Sequence, residues 1–257
     1  MSKVKSYRGY LIDLDGTVFK GNDVIPEAKI FIKELIKRDL PYVFITNNSS
    51  YTAEALIIKL KKMGIKATNE NILTSSIATA KYIKSNYANA NCFVIGEEGI
   101  RQALADQNIK MTKHNVTHVV MGIDREINYE KLATATNFVR QGATFISTNK
   151  DFAIPSENGF DPGNGALTSV ISLSSGIDPL FIGKPAKSMI QIGLDMLGYT
   201  AEGVLLIGDN YLTDIKGGMN SGVDTAFVLT GVNKRTDIEG INQPTYILED
   251  LSHYKFD

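Results

Sequence analysis

Short apolar runs alternate with amphipathic segments along this whole chain, and few folds accept that pattern. The runs GYLID (9–13), PYVFIT (41–46), PLFIG (179–183), GVLLIG (203–208), TAFVL (225–229) and TYIL (245–248) read as strands. Between them lie segments with helical periodicity. Pro26–Asp39 opens with a proline suited to a first turn, and Thr52–Met63 and Lys187–Leu197 each end at a glycine. Strands that are apolar throughout and alternate with helices form a parallel sheet covered on both faces, so the fold class is α/β.

The interval between the second and third strands is too long for one crossover. It holds strand-like runs of its own, CFVIG (92–96), THVVMGI (117–123) and ATFIST (143–148), with helical stretches such as Glu130–Gln141 between them. This predicts a Rossmann-like parallel-sheet core built from residues 1–76 and 179–257, interrupted by a second, inserted α/β domain at 77–178. The Gly- and Pro-rich stretch Ala153–Gly165 reads as a loop that either lines a pocket or connects elements. Asn149 and Asp151 read as pocket residues or a helix cap.

Composition narrows the function. A chain of 257 residues with 43% hydrophobic and 21% charged residues can build its core without disulfides or structural zinc. Its one cysteine, Cys92, lies in an apolar run and reads as a packing residue. The net charge of -1 gives no global field to gather nucleic acid or an anionic membrane. The N-terminal stretch has no signal-peptide pattern, and no run approaches the roughly 20 apolar residues of a membrane span, so the expected location is cytoplasmic. His114, His118 and His253 are scattered without ligand spacing.

Open parallel sheets bind ligands beyond the carboxyl ends of their strands. At those ends stand Asp13-Leu14-Asp15-Gly16-Thr17, Thr46-Asn47-Asn48-Ser49, Gly183-Lys184-Pro185 and Gly208-Asp209-Asn210, with Asp214 a turn further on. Each has a bland reading taken alone: a turn at Asp15-Gly16, helix caps at Thr46, Ser49, Asp209 or Asn210, a solvated charge at Lys184. Four such groups at one edge of one sheet favour a functional reading.

The chemistry these groups suit is phosphoryl transfer, which needs a nucleophile, a hard cation, donors for the phosphoryl oxygens and a proton for the leaving group. Asp13 and Asp15 alternate on an extended chain and point different ways, so one can attack while the other faces the leaving oxygen. Asp13 and Asp209 can share Mg²⁺. Thr46 offers a neutral donor and Lys184 a point charge.

At this point the residues resemble the haloacid dehalogenase superfamily of phosphatases. DLDGT (13–17), Thr46, Lys184 and GDNYLTD (208–214) are similar to its four motifs in order. TNN (46–48), GKP (183–185), STNKD (147–151) and the position of the insertion resemble its NagD-like branch, which includes 4-nitrophenyl, nucleotide and pyridoxal phosphate phosphatases. The resemblance implies Asp13 as nucleophile and Asp15 as general acid, then base. Thr46 and Lys184 would hold the phosphoryl group, with Asn47 and Asn48 lining its pocket. Asp13, the Asp15 main-chain carbonyl and Asp209 would bind Mg²⁺. Asn210 and Asp214 would lie behind the metal ligands, with Asp214 orienting them or pairing with Lys184. Residues 17–26 would form a flap, and the inserted domain a cap that selects the leaving group.

The expected activity is hydrolysis of a small-molecule phosphate monoester through an aspartyl-phosphate, with neither nucleic acid nor membrane as partner. The rival readings are dehalogenation or phosphonate chemistry, phosphotransfer to a second substrate, and a phosphoacceptor or binding module that uses the same acidic pocket. Asp15 argues against dehalogenation, which needs no acid for an alkoxide. Asp15 together with Lys184 and a full cap favours turnover over storage.

Overall fold

The computed structural model describes residues 5–156 and 159–256. The chain opens with β1 (Gly9–Asp13), a small antiparallel pair β2 (Phe19–Lys20) and β3 (Asp23–Val24), α1 (Pro26–Lys37), β4 (Tyr42–Thr46), α2 (Ala53–Lys62) and β5 (Ile72–Thr74). There follow α3 (Ser75–Asn86), β6 (Asn91–Ile95), α4 (Glu98–Asp106), β7 (Lys110–Met111), β8 (His118–Met121), α5 (Tyr129–Arg140) and β9 (Thr144–Ser147). Next come β10 (Ala153–Ser156), β11 (Gly159–Pro162), α6 (Asn164–Ser175) and β12 (Leu180–Phe181). The chain ends with α7 (Lys187–Leu197), β13 (Val204–Gly208), a π-helical turn (Tyr211–Ile215), α8 (Lys216–Asn220), β14 (Asp224–Val228) and β15 (Tyr246–Leu248). Among the described residues no helix is long and apolar enough to cross a membrane.

Two sheets organise these elements. The first has the order β15-β14-β13-β1-β4-β5, with parallel pairing from β15 through to β4. Every residue of β1, β4 and β13 is buried, as strands covered on both faces must be. α1 buries Ala28, Phe31, Ile32 and Leu35, the i, i+3, i+4, i+7 stripe of a helix laid on a core. The second sheet, β12-β9-β8-β6-β7, is also parallel. One of its faces presents Phe93, Ile95, Val119, Met121 and Phe145 to Ala135 and Val139 of α5 and Ile171 of α6. Cys92 is buried in β6, in line with its packing role.

The chain divides into two compact units, each with one of these sheets. One takes the chain up to Thr46, Glu54–Leu73 and the part from Lys184 on; the other takes Asn47–Ala53 and Thr74–Gly183. This differs from the expected limits of 77 and 178. The run 179–183, expected as a strand of the core sheet, instead contributes Leu180 and Phe181 to β12, paired with Ile146 and Ser147 of β9. Residues 47–50 go with the second unit because their backbone is tied there. Ser75 Oγ and Asn149 Nδ2 each donate to Asn47 O at 2.7 Å, Ser76 Oγ to Ser49 O at 2.9 Å, and Gly99 N to Ser50 O at 3.0 Å.

A second correction concerns 153–165. The expected loop contains the antiparallel hairpin β10–β11 and the start of α6; residues 157 and 158 lie outside the described residues. Hairpin pairing is made by the backbone, so an exposed and polar sequence does not preclude it.

The turn into α4 rests on a close approach. A Cβ on Gly99 would stand 2.6 Å from both Ser49 O and Tyr51 O, backbone atoms that have no rotamer to move. Gly99→Ala should therefore destabilise the second unit by about 1–3 kcal/mol, the cost typical of overpacking, despite alanine's better helix propensity. A lowered unfolding midpoint in urea checks this; an unchanged or raised midpoint would show that 49–51 gives way freely.

Candidate active site

Register alone brings three groups to one edge. Asp13 pairs with Ile45 and Ile12 with Ile207, so the carboxyl ends of β1, β4 and β13 are level. Asp13 closes β1, Thr46 closes β4, and Asp209 follows β13 by one residue. All three are buried. Lys184, three residues after β12, belongs to the same unit.

Lys184 holds the centre. Its Nζ donates to Asp13 Oδ1 at 2.5 Å, Asp214 Oδ1 at 2.6 Å and the Ile45 carbonyl at 3.3 Å. The lysine is 2% exposed. Burial alone would lower its proton affinity, but the two carboxylates outweigh that and keep it charged well above the ordinary lysine range. Asp214 comes from the π-helical turn, whose Asn210 caps Leu212 N at 3.0 Å and donates its own N–H to Asp214 Oδ2 at 3.1 Å. Such turns recur where a side chain must be re-aimed.

Asp209 completes an acidic cluster. A carboxylate oxygen from each of Asp13, Asp209 and Asp214 lies within 4.8 Å of the others. Asp209 Oδ2 accepts from Val232 N at 2.6 Å and its Oδ1 from Thr17 Oγ1 at 3.3 Å. A Cβ at Gly231 would collide with this carboxylate, which is why the loop after β14 carries glycine there. Thr17, Gly231 and Val232 are site residues that the sequence reading did not single out in this role. The Thr-Gly-Val run at 230–232, just beyond a strand end, was the available signal.

Three buried carboxylates facing one ammonium hold surplus negative charge. Burial raises the Asp13 carboxyl well above the usual range, Lys184 opposes this, and Asp214 and Asp209 add to it. Burial and Asp214 push Asp209 up to about 6 against the pull of the Val232 N–H and Lys184. A set of hard oxygen donors with excess charge, shut off from water, fits a hard divalent cation.

Asp15 lies apart from the cluster. It keeps an accessible edge, yet the protein crowded around it raises its carboxyl, with Lys59 and Lys184 pulling the other way. Asn47 and Asn48 belong to the other compact unit. There Asn47 Nδ2 donates to Asp151 Oδ1 at 3.2 Å, and Asn48 Oδ1 accepts from Ser50 N and Tyr51 N, each at 3.0 Å, as a turn former. Asn149 donates to Asn47 O and accepts from Asp151 N, so neither Asn149 nor Asp151 caps α6, whose N-cap is Gly163.

Comparison with known proteins gives this arrangement a family. A haloacid dehalogenase-like hydrolase model matches residues 10–110, and a second, HAD-hydrolase-like model matches 181–254. The 5'-nucleotidase YutF of Bacillus subtilis is 46% identical over 252 residues, covering 98% of each chain. The chain belongs to the haloacid dehalogenase-like hydrolase family. An acid sugar phosphatase of Staphylococcus haemolyticus is 47% identical over 251 residues, covering 97% of this chain and 95% of its own. Among solved structures, a thermostable NPPase double mutant from Geobacillus stearothermophilus has a TM-score of 0.93 at 44% identity, covering 99% and 100% of the two chains. NagD from E. coli K-12 has a TM-score of 0.92 at 29% identity, covering 98% and 99%. The expected superfamily and NagD-like branch are thus borne out, and the chain falls among the phosphatases of the family. Divalent metal is general in this family, and the acidic cluster accords with it.

The cluster predicts a pH dependence for the metal-free protein. The Asp209 carboxyl is raised to about 6, against about 3.9 in an unfolded chain. Between those values the folded state binds more protons than the unfolded one, so this group's contribution to stability falls as pH rises through that window. Asp209→Asn removes the charge and keeps the shape. In EDTA the variant should melt above wild type at about pH 7.5 and level with it at about pH 4, as followed by calorimetry. A wild type that melts at or above the variant at the higher pH would contradict the electrostatic account.

Proposed function

We propose that this chain is a magnesium-dependent phosphatase that hydrolyses small-molecule phosphate monoesters through a phosphoryl group carried on Asp13. The observation that supports it most is the junction of Lys184 with Asp13 and Asp214, with Asp209 beside them at one sheet edge. A nucleophile, a fixed cation and a divalent-ion donor set are the minimum for phosphoryl transfer.

In the first step an Asp13 oxygen attacks phosphorus as the bond to the leaving oxygen breaks, and Asp15 gives that oxygen a proton. In the second, Asp15 takes a proton from water, whose oxygen attacks phosphorus and breaks the bond to Asp13. The raised Asp15 carboxyl suits a group that must hold a proton before it gives one. Lys184 steadies the Asp13 carboxylate and offsets charge on the phosphoryl oxygens, towards which Thr46 is the neutral donor. Asp13, the Asp15 carbonyl and Asp209 would hold Mg²⁺, with Asn210 and Asp214 in support. The ion supplies charge that lets an anionic nucleophile approach an anionic substrate. Asn47 and Asn48 are included in the proposal as phosphate-binding residues, and the inserted domain as the part that selects the leaving group.

The relatives' names, 5'-nucleotidase and acid sugar phosphatase, support an alkyl phosphate as substrate, either a sugar phosphate or a nucleotide, with 4-nitrophenyl phosphate as an artificial one. A cytoplasmic enzyme free of nucleic acid and membrane partners is part of the same proposal. Phosphate release from a panel of these esters should stop in EDTA, return with Mg²⁺, and fall by several orders of magnitude in Asp13→Asn. Full activity in EDTA, or a purified Asp13→Asn variant within about tenfold of wild type, would overturn the assignment.

A further inference from the structure

Lys59 is a charged group that the mechanism above leaves unused. It stands in the last turn of α2 with Lys61 and Lys62, which are exposed as a solvated helix end would make them. Lys59 is only partly exposed, and its Nζ lies 4.0 Å from the centroid of the Phe19 ring. Phe19 is itself 1% exposed, so the ammonium covers a ring that is shut off from water.

Phe19 belongs to the tight turn that carries Asp15. Phe19 N donates to Leu14 O at 3.1 Å, Gly16 N donates to Phe19 O at 2.8 Å, and Asp15 and Phe19 form an isolated bridge. Lys59 thus grips from another element the loop on which Asp15 stands. A lysine that merely covers Phe19 would need only its aliphatic stem. The seat of the ammonium on the ring, and the backbone bonds that join Phe19 to the turn of Asp15, give the charge a purpose.

We infer that Lys59 is a positioning residue for the proton transfers: its ammonium, seated on Phe19, holds the turn that carries Asp15 so that the Asp15 carboxyl meets the leaving oxygen and then the attacking water in one orientation. This rests on the reading of Asp15 as acid and base. The effect should be confined to proton transfer. It should appear in kcat with alkyl phosphates, whose leaving oxygens are basic, and leave KM and the first step with 4-nitrophenyl phosphate nearly untouched.

The test is a double-mutant cycle on the magnesium-loaded enzyme with an alkyl phosphate. Lys59→Met keeps stem length and helix propensity and removes the charge. It should lower kcat about tenfold, part of the roughly 10²–10⁴-fold that a positioned acid contributes, with KM within about twofold. Lys59→Arg should recover most of the loss, and the melting temperatures of both variants should match wild type. In an Asp15→Asn background, Lys59→Met should cost less than about twofold more, because the group it positions is gone. A full tenfold loss in that background, a loss confined to KM, or an undamaged Lys59→Met would each remove Lys59 from the mechanism. If Asp15→Asn alone turned over alkyl phosphate normally, the parent reading and this one would fall together. A damaged Asp15→Asn beside an unharmed Lys59→Met would overturn the Lys59 assignment alone.

Discussion

The ion pairs of Lys184 with Asp13 and Asp214 tie together three separate segments of the chain: the end of β1, the return from the inserted unit and the turn after β13. A fully buried ammonium is costly unless carboxylates compensate it, and either carboxylate alone would be poorly placed without the lysine. Removing any partner would leave an uncompensated buried charge. The geometry of the site and the closure of the core sheet edge therefore depend on the same contact. With Asp209 beside them, three carboxylates face one ammonium, more negative charge than Lys184 can neutralise, and such a donor set would suit a divalent cation.

The rest of the edge is arranged around this excess. Val232 N–H and Thr17 Oγ1 fix the two oxygens of Asp209, and the absence of a side chain at Gly231 lets the backbone come close enough to do so. Asn210 shapes the π-helical turn that aims Asp214 at Lys184. Asp15 stays outside the cluster, with an accessible edge and a raised proton affinity. A group two residues from Asp13 can then hold a proton while Asp13 itself stays paired with Lys184, a separation that alternation along an extended chain makes possible.

Much of this was legible in the sequence because it depends on strand ends. GYLI, YVFI and GVLLI are buried on both faces, their lengths fix where the chain leaves the sheet, and the polar residue at each exit falls at the same level. The assignment of PLFIG to the core sheet failed because both sheets are parallel and show the same apolar period, so nothing local distinguishes their strands. The pairing of β10 with β11 was hidden because Gly159–Pro162 are exposed and the pairing is made by backbone. Val232 was missed because the backbone N–H that serves Asp209 leaves no mark on residue type; the glycine before it, Gly231, is the one trace of that close approach. Lys59 looked like any lysine at a helix end; only the position of Phe19 gives it a distinct environment.

The claim on which the account turns is that phosphorus is bonded to Asp13 during turnover. An acyl phosphate is reduced by borohydride to an alcohol, whereas a free carboxylate is not. Wild-type enzyme mixed with Mg²⁺ and excess substrate, quenched during steady turnover, reduced and digested, should yield a peptide with homoserine at position 13. Recovery of unmodified Asp13 from a quench in which product is still forming, with reduction at another residue or none, would contradict covalent catalysis at this site.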